Sequence, residues 1–428
     1  MIKDKVFWYE GKGTPRPSIE TDCTADIVIA GGGMAGLMCA HEFVQAGKKV
    51  VIVEKDFCGG GASGKSSGFI SPDSELELSD LISDYGKDTA RALWTFVEDG
   101  VTLIKDTIER YHIACDYQVQ DSCYVATYRK GIKNIVAEHD ARESLGYPST
   151  LYDRHKLPSV LGSNAFYGGV RYPDTFGIDG FRYCQELAIQ LERMGVRIFE
   201  QSPVTGTGPG YVKSGEHTVT AKVVVFCVDR FLPQLGFLDY ELFQLQTFLA
   251  ISKPLTDEQV KRIFPKERLM VWDSKLIYHY FRITGDNRLL LGGANMWHTY
   301  TRKENHNPLK FIRGHEKFFR KKFPQVSVEW EYIWPGVVGV SKDVLGIAGQ
   351  SREEPSHYYI AAAAGLPWAA ALGKYIAEKI TKPHSHPLDH YFSPYRRFPV
   401  GNKIEKIIGK PLTFLLSHTI MKYFGKVV

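Results

Sequence analysis

The chain has no cysteine pairing of any recognisable kind. Its seven cysteines, at 23, 39, 58, 115, 123, 184 and 227, form no CxxC pair and no metal-ligand spacing. A cysteine-built metal site is excluded, and the thiols are expected to be reduced and mostly buried, as in a cytoplasmic protein. Strong charge is also missing: a net +5 spread along the sequence, with no arginine-rich run, gives no reason to expect a nucleic-acid partner. The amino terminus, Met1-Ile2-Lys3-Asp4-Lys5, carries charges and lacks the apolar core of a signal peptide. The longest uncharged run, Ser356 to Gly373, is broken by Gly365-Leu366-Pro367 and predicts strand, loop and helix rather than a membrane span. Repeats and low-complexity segments are absent. With 428 residues and 44% apolar content, the chain can bury a large core, expected as two domains.

Against those absences stands one dense stretch. Asp26-Ile27-Val28-Ile29-Ala30 leads into Gly31-Gly32-Gly33-Met34-Ala35-Gly36, a helical run to Ala46, and a second apolar strand, Lys49 to Val53, ending in Glu54. In this strand, glycine turn, helix, strand and acid, Gly31 permits the tight turn, Gly33 a close backbone approach to a pyrophosphate, and Gly36 close packing of helix on sheet. Glu54 lies 18 residues beyond Gly36, where a carboxylate accepts from ribose hydroxyls. A second glycine-rich loop follows at once, Cys58-Gly59-Gly60-Gly61-Ala62-Ser63-Gly64-Lys65-Ser66-Ser67-Gly68, too rich in glycine for a helix interior. Its amides, its serine hydroxyls and Lys65 suit a second cradle for a phosphate-bearing, planar cofactor.

Residues 1–25 are expected as an extended leader. Helical periodicity runs from Leu78 to Tyr111, a strand covers Cys123 to Thr127, and both are expected to interrupt the nucleotide domain. A helix from Asp179 to Met194, a strand from Val196 ending near Val204 and another at Lys222 to Phe226 return to a doubly wound sheet. From Phe231 to Trp334 the texture is aromatic and strand-rich: Leu276, Tyr278, Tyr280 and Arg282 alternate with Ile277, His279, Phe281 and Ile283, and a turn at Gly285-Asp286-Asn287 makes a hairpin with Arg288 to Gly292. The expected class is therefore α/β, a discontinuous Rossmann-type domain (1–85, 151–230, 334–383) with an α+β substrate domain of mainly antiparallel sheet (86–150, 231–333) and a tail (384–428). Pro411 to Tyr423 predicts an amphipathic helix docked on its own protein, in preference to a peripheral membrane contact.

The fingerprint, the Gly61-Ala62-Ser63-Gly64 loop, the Tyr280 to Asp286 hairpin, the Tyr358 to Glu378 block and the leader Phe7-Trp8-Tyr9-Glu10 resemble the D-amino-acid oxidase superfamily of FAD-dependent oxidoreductases, most nearly its gamma-glutamylputrescine oxidase-like branch. The resemblance covers nearly the whole chain. It implies FAD at Gly31, Gly33, Met34, Ala35, Gly36, Glu54 and Lys55. It implies further contacts from Gly61, Ala62, Ser63, Lys65, Ser66 and Ser67, from Val204 beside adenine, and from Gly336, Gly365, Leu366, Pro367 and Trp368 near the flavin ring. Attachment is expected to be non-covalent, because no cysteine lies between Trp334 and Pro367. Lys342 and Asp343 fall near the flavin in the family, with a surface turn as the competing reading.

The implied chemistry is oxidation of a C–N bond in a small amine or amino acid by hydride transfer to flavin N5, with oxygen as acceptor. The alternatives are a dehydrogenase serving a quinone or protein acceptor and a flavin-binding protein without turnover. Tyr278, Tyr280 and Arg282 are the substrate-side candidates, being on one strand face. His279, on the other face, is expected to be structural. The chain departs from its relatives at Lys65 and Ser66 (usually Arg-Asn), at Ala363-Ala364-Gly365 (usually Gly-His-Gly), near Val228, and at Leu290, where sarcosine oxidases carry the lysine that helps oxygen react. It also lacks, after Gly336, the arginine that amino-acid oxidases use against a substrate carboxylate. Aromatic walls from Trp272, Tyr278, Tyr280, Trp297 and Trp368 should therefore favour amines.

Overall fold

The computed structural model describes residues 2–417 apart from 74, 276, 294–303, 305–306, 399, 411 and 414–415, and apart from the side chains of 402 and 403. Two large sheets carry the molecule. In the first, Arg197–Phe199, Val50–Val53, Cys23–Ala30 and His217–Phe226 lie side by side in parallel, with His357–Ala361 parallel to the last. Val50-Val51-Ile52-Val53 is buried on both faces, as a β-branched run in a parallel sheet must be. Ile27, Ile29 and Ile52 face the helices Met34–Gln45, Lys87–Tyr111, Gly180–Arg193 and Leu366–Thr381, while Val28, Val51, Val53 and Phe226 enter a second core on the opposite side.

Among the described residues the second sheet has nine strands, in the order Lys3–Asp4, Trp330–Val340, Phe243–Pro254, Arg288–Gly293, Tyr280–Ile283, Leu269–Asp273, Asp121–Val125, Gly168–Tyr172 and Thr150–Asp153. It is antiparallel except where Lys3–Asp4 joins Trp330–Val340 and where Leu269–Asp273 joins Asp121–Val125. Period-two alternation sorts its residues: Phe248 and Ala250 pack toward the helix Ile312–Lys322, whereas Leu249 and Ile251 pack toward Trp8 and Trp334 on the face turned to the first sheet's loops. A small third sheet, Phe69–Ile70, Phe176–Gly177 and Gln118–Val119, stitches the two parts together.

Several expectations need correcting. Strand Gly168–Tyr172 pairs with Asp121–Val125 and Thr150–Asp153 pairs with Gly168–Tyr172, so the substrate sheet runs through the expected boundary at 151; Trp330–Val340 likewise runs through the one at 334. The helix Lys87–Tyr111 does not interrupt the nucleotide part: its apolar stripe, including Leu93, Val97 and Ile104, is buried in the core that covers the parallel sheet. The leader is more than extended chain, since Lys3–Asp4 adds an edge strand and Phe7–Gly11 forms a turn of 3-10 helix with Trp8 buried. The glycine-rich loop contains one helical turn, Ala62–Lys65, and the strand after Gly195 stops at Phe199, short of Val204. On the hairpin only Tyr280–Ile283 is strand, and Leu276 lies outside the described residues. Most of Pro411 to Tyr423 also lies outside them. Among the described residues no helix is long and apolar enough to cross a membrane, and no cluster of His, Cys, Asp or Glu is arranged to hold a metal.

Candidate active site

Gly31 sits at φ 109°, where side chains are strained, and a Cβ there would meet the Cys227 carbonyl. A Cβ on Gly36 would overlap the Gly31 carbonyl oxygen, so the helix approaches its own turn as closely as backbone allows. Gly33 is the N-cap of Met34–Gln45 and offers no side-chain cap; a Cβ there would meet only Ser63 Oγ, at 3.2 Å. The helix end is thus left with amides for an anion. Met34 N–H donates to Ser63 Oγ at 3.0 Å, tying the first glycine turn to the second. Glu54 ends its strand buried, its carboxylate accepting from Gly32 N–H at 2.7 Å and Asp56 N–H at 2.9 Å. Burial pushes its carboxyl up, and the two amides partly offset that. Lys55 lies over the Phe231 ring and beside Asp56, while Val204 packs half-buried against the core behind the sheet.

The second loop is pinned by its carbonyls. Trp8 Nε1 donates to Ser66 O at 3.0 Å, Trp334 Nε1 to Lys65 O at 3.0 Å, Arg282 Nε to Ser67 O at 2.8 Å, and Tyr9 Oη to Gly60 O at 3.1 Å. Sequence reasoning missed the two tryptophans and Tyr9; the only signal was a cluster of aromatics in an otherwise polar leader. With its carbonyls held from behind, the loop turns Ala62, Ser63, Lys65, Ser66 and Ser67 to a cavity of about 550 Å³. Gly61, the N-cap of the helical turn, is outside that lining. Lys65 Nζ is engaged by Glu304 at 3.2 Å, which also takes Arg230 at 2.9 Å.

Gly336, Val337 and Val338 form another wall, and Ala363, Ala364, Gly365 and Leu366 a third. Gly365, at φ 116°, caps the helix Leu366–Thr381, whose first turn includes Pro367. Asp229 braces both walls, accepting from Gly339 N–H at 2.7 Å and Ala362 N–H at 3.0 Å, another contact sequence reasoning missed. Trp368 does not join the wall: its ring is buried against Phe96 and Phe392 because its helix position faces the core. Lys342 and Asp343 neither line the cavity nor form a surface turn. Both are fully buried, in ion pairs with Glu405 at 2.8 Å and Arg396 at 2.7 Å.

Beyond the loops the cavity is aromatic. Tyr278 and Tyr280 line it, with ring centres 5.7 Å apart. Tyr280 fits because its cross-strand partner is Gly292, where any Cβ would strike its ring. Its hydroxyl shares a 3.2 Å hydrogen bond with Thr247, Tyr278 donates to Glu75 at 2.9 Å, and Trp272 Nε1 donates to Glu77 Oε1 at 2.8 Å. Burial pushes the Glu77 carboxyl well above its ordinary range, with Asp73 and Glu138 adding to the effect. Asp73, also lining the cavity, is pushed up by burial to about 7 despite its pairing with Arg142.

Arg282 separates from the tyrosines. Alternation keeps it on Tyr280's face, but the third sheet closes that face there, and its guanidinium donates to Ser67 O and, at 2.6 Å, to Ile178 O. It is fully buried, lies outside the cavity lining, and is pushed down to about 10 by burial. His279 stacks on Phe318 at 3.9 Å, away from the cavity, and Trp297 lies outside the described residues.

Comparison with known proteins agrees with this geometry. The profile of the family described as "FAD dependent oxidoreductase" (DAO) matches residues 26–379. The chain is 27% identical over 370 residues to a probable oxidoreductase OrdL of Haemophilus influenzae, covering 83% of each. It is also 27% identical over 335 residues to gamma-glutamylputrescine oxidoreductase of Escherichia coli, covering 76% of each. Among solved structures, L-proline dehydrogenase from P. horikoshii superposes with a TM-score of 0.73 at 19% identity, covering 93% of this chain and all of that one. Glycine oxidase from Geobacillus kaustophilus gives 0.75 at 17% identity, covering 89% of this chain and all of that one. These two share the fold.

Proposed function

Because this chain belongs to the FAD-dependent oxidoreductase family, matched over residues 26–379, we propose that it oxidises the C–N bond of a small amine, with FAD held non-covalently and oxygen as acceptor. The residues fit the cofactor: a helix end left uncapped by Gly33, a buried acid at Glu54, and two further loops that open onto one cavity. Bound there, FAD supplies the hydride acceptor for the carbon beside an unprotonated amine. The chain's own residues position that carbon between the loops and the Tyr278–Tyr280 pair, and the apolar wall of Gly336, Val337 and Val338 favours a neutral amine over an ammonium at the reacting nitrogen.

The observation that carries the choice of an amine over an amino acid is the charge of the lining. Among the described residues it includes Asp73, paired with Arg142, the buried Asp273, the half-buried Glu77 and the exposed Glu75 and Asp80, against Lys65, engaged by Glu304, and the exposed Lys275. Among the described residues no arginine lines the cavity, and Arg282 lies outside the lining with Nε and Nη2 given to two backbone carbonyls. A second reading keeps the oxidation and changes the acceptor. Leu290 stands where sarcosine oxidases carry a lysine that helps oxygen react; it is buried with Trp8 and Trp334 outside the cavity lining, and with no charge at that position a quinone or protein acceptor is the alternative.

The experiment is to purify the protein, precipitate it with acid, and then measure peroxide and dye reduction during amine turnover. Yellow colour released to the supernatant and one peroxide per imine support the reading. Colour retained in the pellet contradicts non-covalent FAD. Dye reduction without peroxide selects the second acceptor, and no reduction by any amine removes the oxidation.

A further inference from the structure

The far end of the cavity holds more carboxylate than amine oxidation requires. Glu75 and Glu77 stand just before the helix Leu78–Tyr85, and each takes a hydrogen bond from a neutral aromatic donor, Tyr278 and Trp272. Glu77 Oε2 is buried and has no hydrogen-bond partner. The charges that act on this carboxyl come from Asp73, Glu138 and Asp80, all acids. Arg142, which is buried, is divided between Asp73 at 3.4 Å and Glu138 at 2.7 Å. Glu75 is held at φ 69°, a left-handed conformation that a non-glycine residue adopts at a cost. A buried, orphaned carboxylate oxygen facing a cavity needs an explanation, and the plainest is a ligand that brings the missing donor. The walls suit a cation: Trp272 lies with Tyr124 at 6.2 Å between ring centres, and Tyr278 with Tyr280 at 5.7 Å.

Resting on the amine-oxidation reading above, we propose that this end of the cavity is a subsite for a second positive charge, and that the substrate class is diamines. One nitrogen lies toward the glycine loops, and the remote ammonium donates to Glu77 Oε2, with Glu75 as second acceptor and Trp272 and Tyr278 as walls. A bound cation also relieves the burial penalty on the Glu77 carboxylate.

The test compares matched pairs in anaerobic flavin reduction by the holoenzyme: putrescine against n-butylamine, and cadaverine against n-pentylamine. The diamine should half-saturate at a concentration lower by about tenfold or more, the factor that 1.4 kcal/mol confers. Glu77→Gln should remove most of that advantage, and Glu75→Gln, a second variant in case the first does not fold, should reduce it. Equal half-saturation of the two members, or variants that weaken both alike, would overturn the subsite. If neither amine bleaches the flavin, tryptophan fluorescence of the holoenzyme separates the two ideas. Saturable quenching by putrescine but not n-butylamine, lost in Glu77→Gln, keeps the subsite and removes the oxidation, whereas no quenching removes the subsite.

Discussion

The nucleotide end of the molecule is made from the consecutive residues Asp26 to Glu54, whereas the substrate end draws on Glu75, Tyr124, Thr247, Trp272, Tyr280 and Val337 from separate strands and turns. On the proposed reading, backbone does the binding at the first: the glycines clear space, and one carboxylate, held by Gly32 N–H, closes the turn. At the second, side chains do it, with partners outside their own strand, as Tyr280 needs Gly292 across its hairpin and Trp272 needs Glu77, 195 residues away. A backbone site tolerates almost no added atom, whereas a side-chain site can lose a group and keep its shape. The comparison therefore predicts abrupt failure at one end and graded change at the other.

The largest effect should come from Gly36→Val. Its Cβ would overlap the Gly31 carbonyl, and relief would require moving the turn, at about 3 kcal/mol or more. Flavin absorbance per mole of protein after gel filtration should fall to near zero; a fully yellow variant would break the account of the turn. Arg282→Met comes next. Ser67 O and Ile178 O would lose their donors in a buried place, at about 1–3 kcal/mol each, offset in part by removal of a buried charge. Thermal stability and flavin retention should drop, while the preference between amines and amino acids stays as in the parent. A changed preference would return Arg282 to the substrate.

Glu54→Gln should weaken FAD by about tenfold or more, because charged acceptors contribute about 1.5–3 kcal/mol. The glutamine also turns an amide toward Gly32 or Asp56 N–H, so retention of flavin through dilution at parental strength would remove the ribose assignment. The smallest effect separates the halves by pH. His315, buried in the substrate half and donating to Phe248 O at 2.8 Å, is pushed by burial from 6.5 down to about 4. Below pH 6.5 the unfolded chain binds a proton there that the folded protein does not, so stability falls as pH falls toward about 4. The loss should be about 1 kcal/mol by roughly pH 5.5, one pKa unit being 1.36 kcal/mol. His315→Gln should flatten that slope in a denaturation series; an unchanged slope would contradict it.

The same contrast explains what could be read from the sequence. The fingerprint, both apolar strands and the helix from Gly180 are local patterns, and their residues meet where spacing puts them. The alternation at Tyr280 and Arg282 gave the shared face correctly. It could not show that Phe69–Ile70 and Phe176–Gly177 close that face two residues on and turn Arg282 to the loop. Trp8 and Trp334 reach Ser66 and Lys65 across 58 and 269 residues of chain, a pairing no periodicity carries. The expected boundary at 151 cuts the substrate sheet for a related reason: the strands Thr150–Asp153 and Gly168–Tyr172 have ordinary strand sequences, and only the pairing of Gly168–Tyr172 with Asp121–Val125, and of Thr150–Asp153 with Gly168–Tyr172, places them in that sheet.

The most direct test of the central claim, a cavity suited to an amine whose described lining offers no arginine to a carboxylate, is anaerobic bleaching of the flavin by glycine, sarcosine, D-alanine, putrescine and n-butylamine. The account predicts that the two amines bleach it faster than the three amino acids, in the parent and in Arg282→Met alike. Faster bleaching by the amino acids, abolished in Arg282→Met, would contradict it.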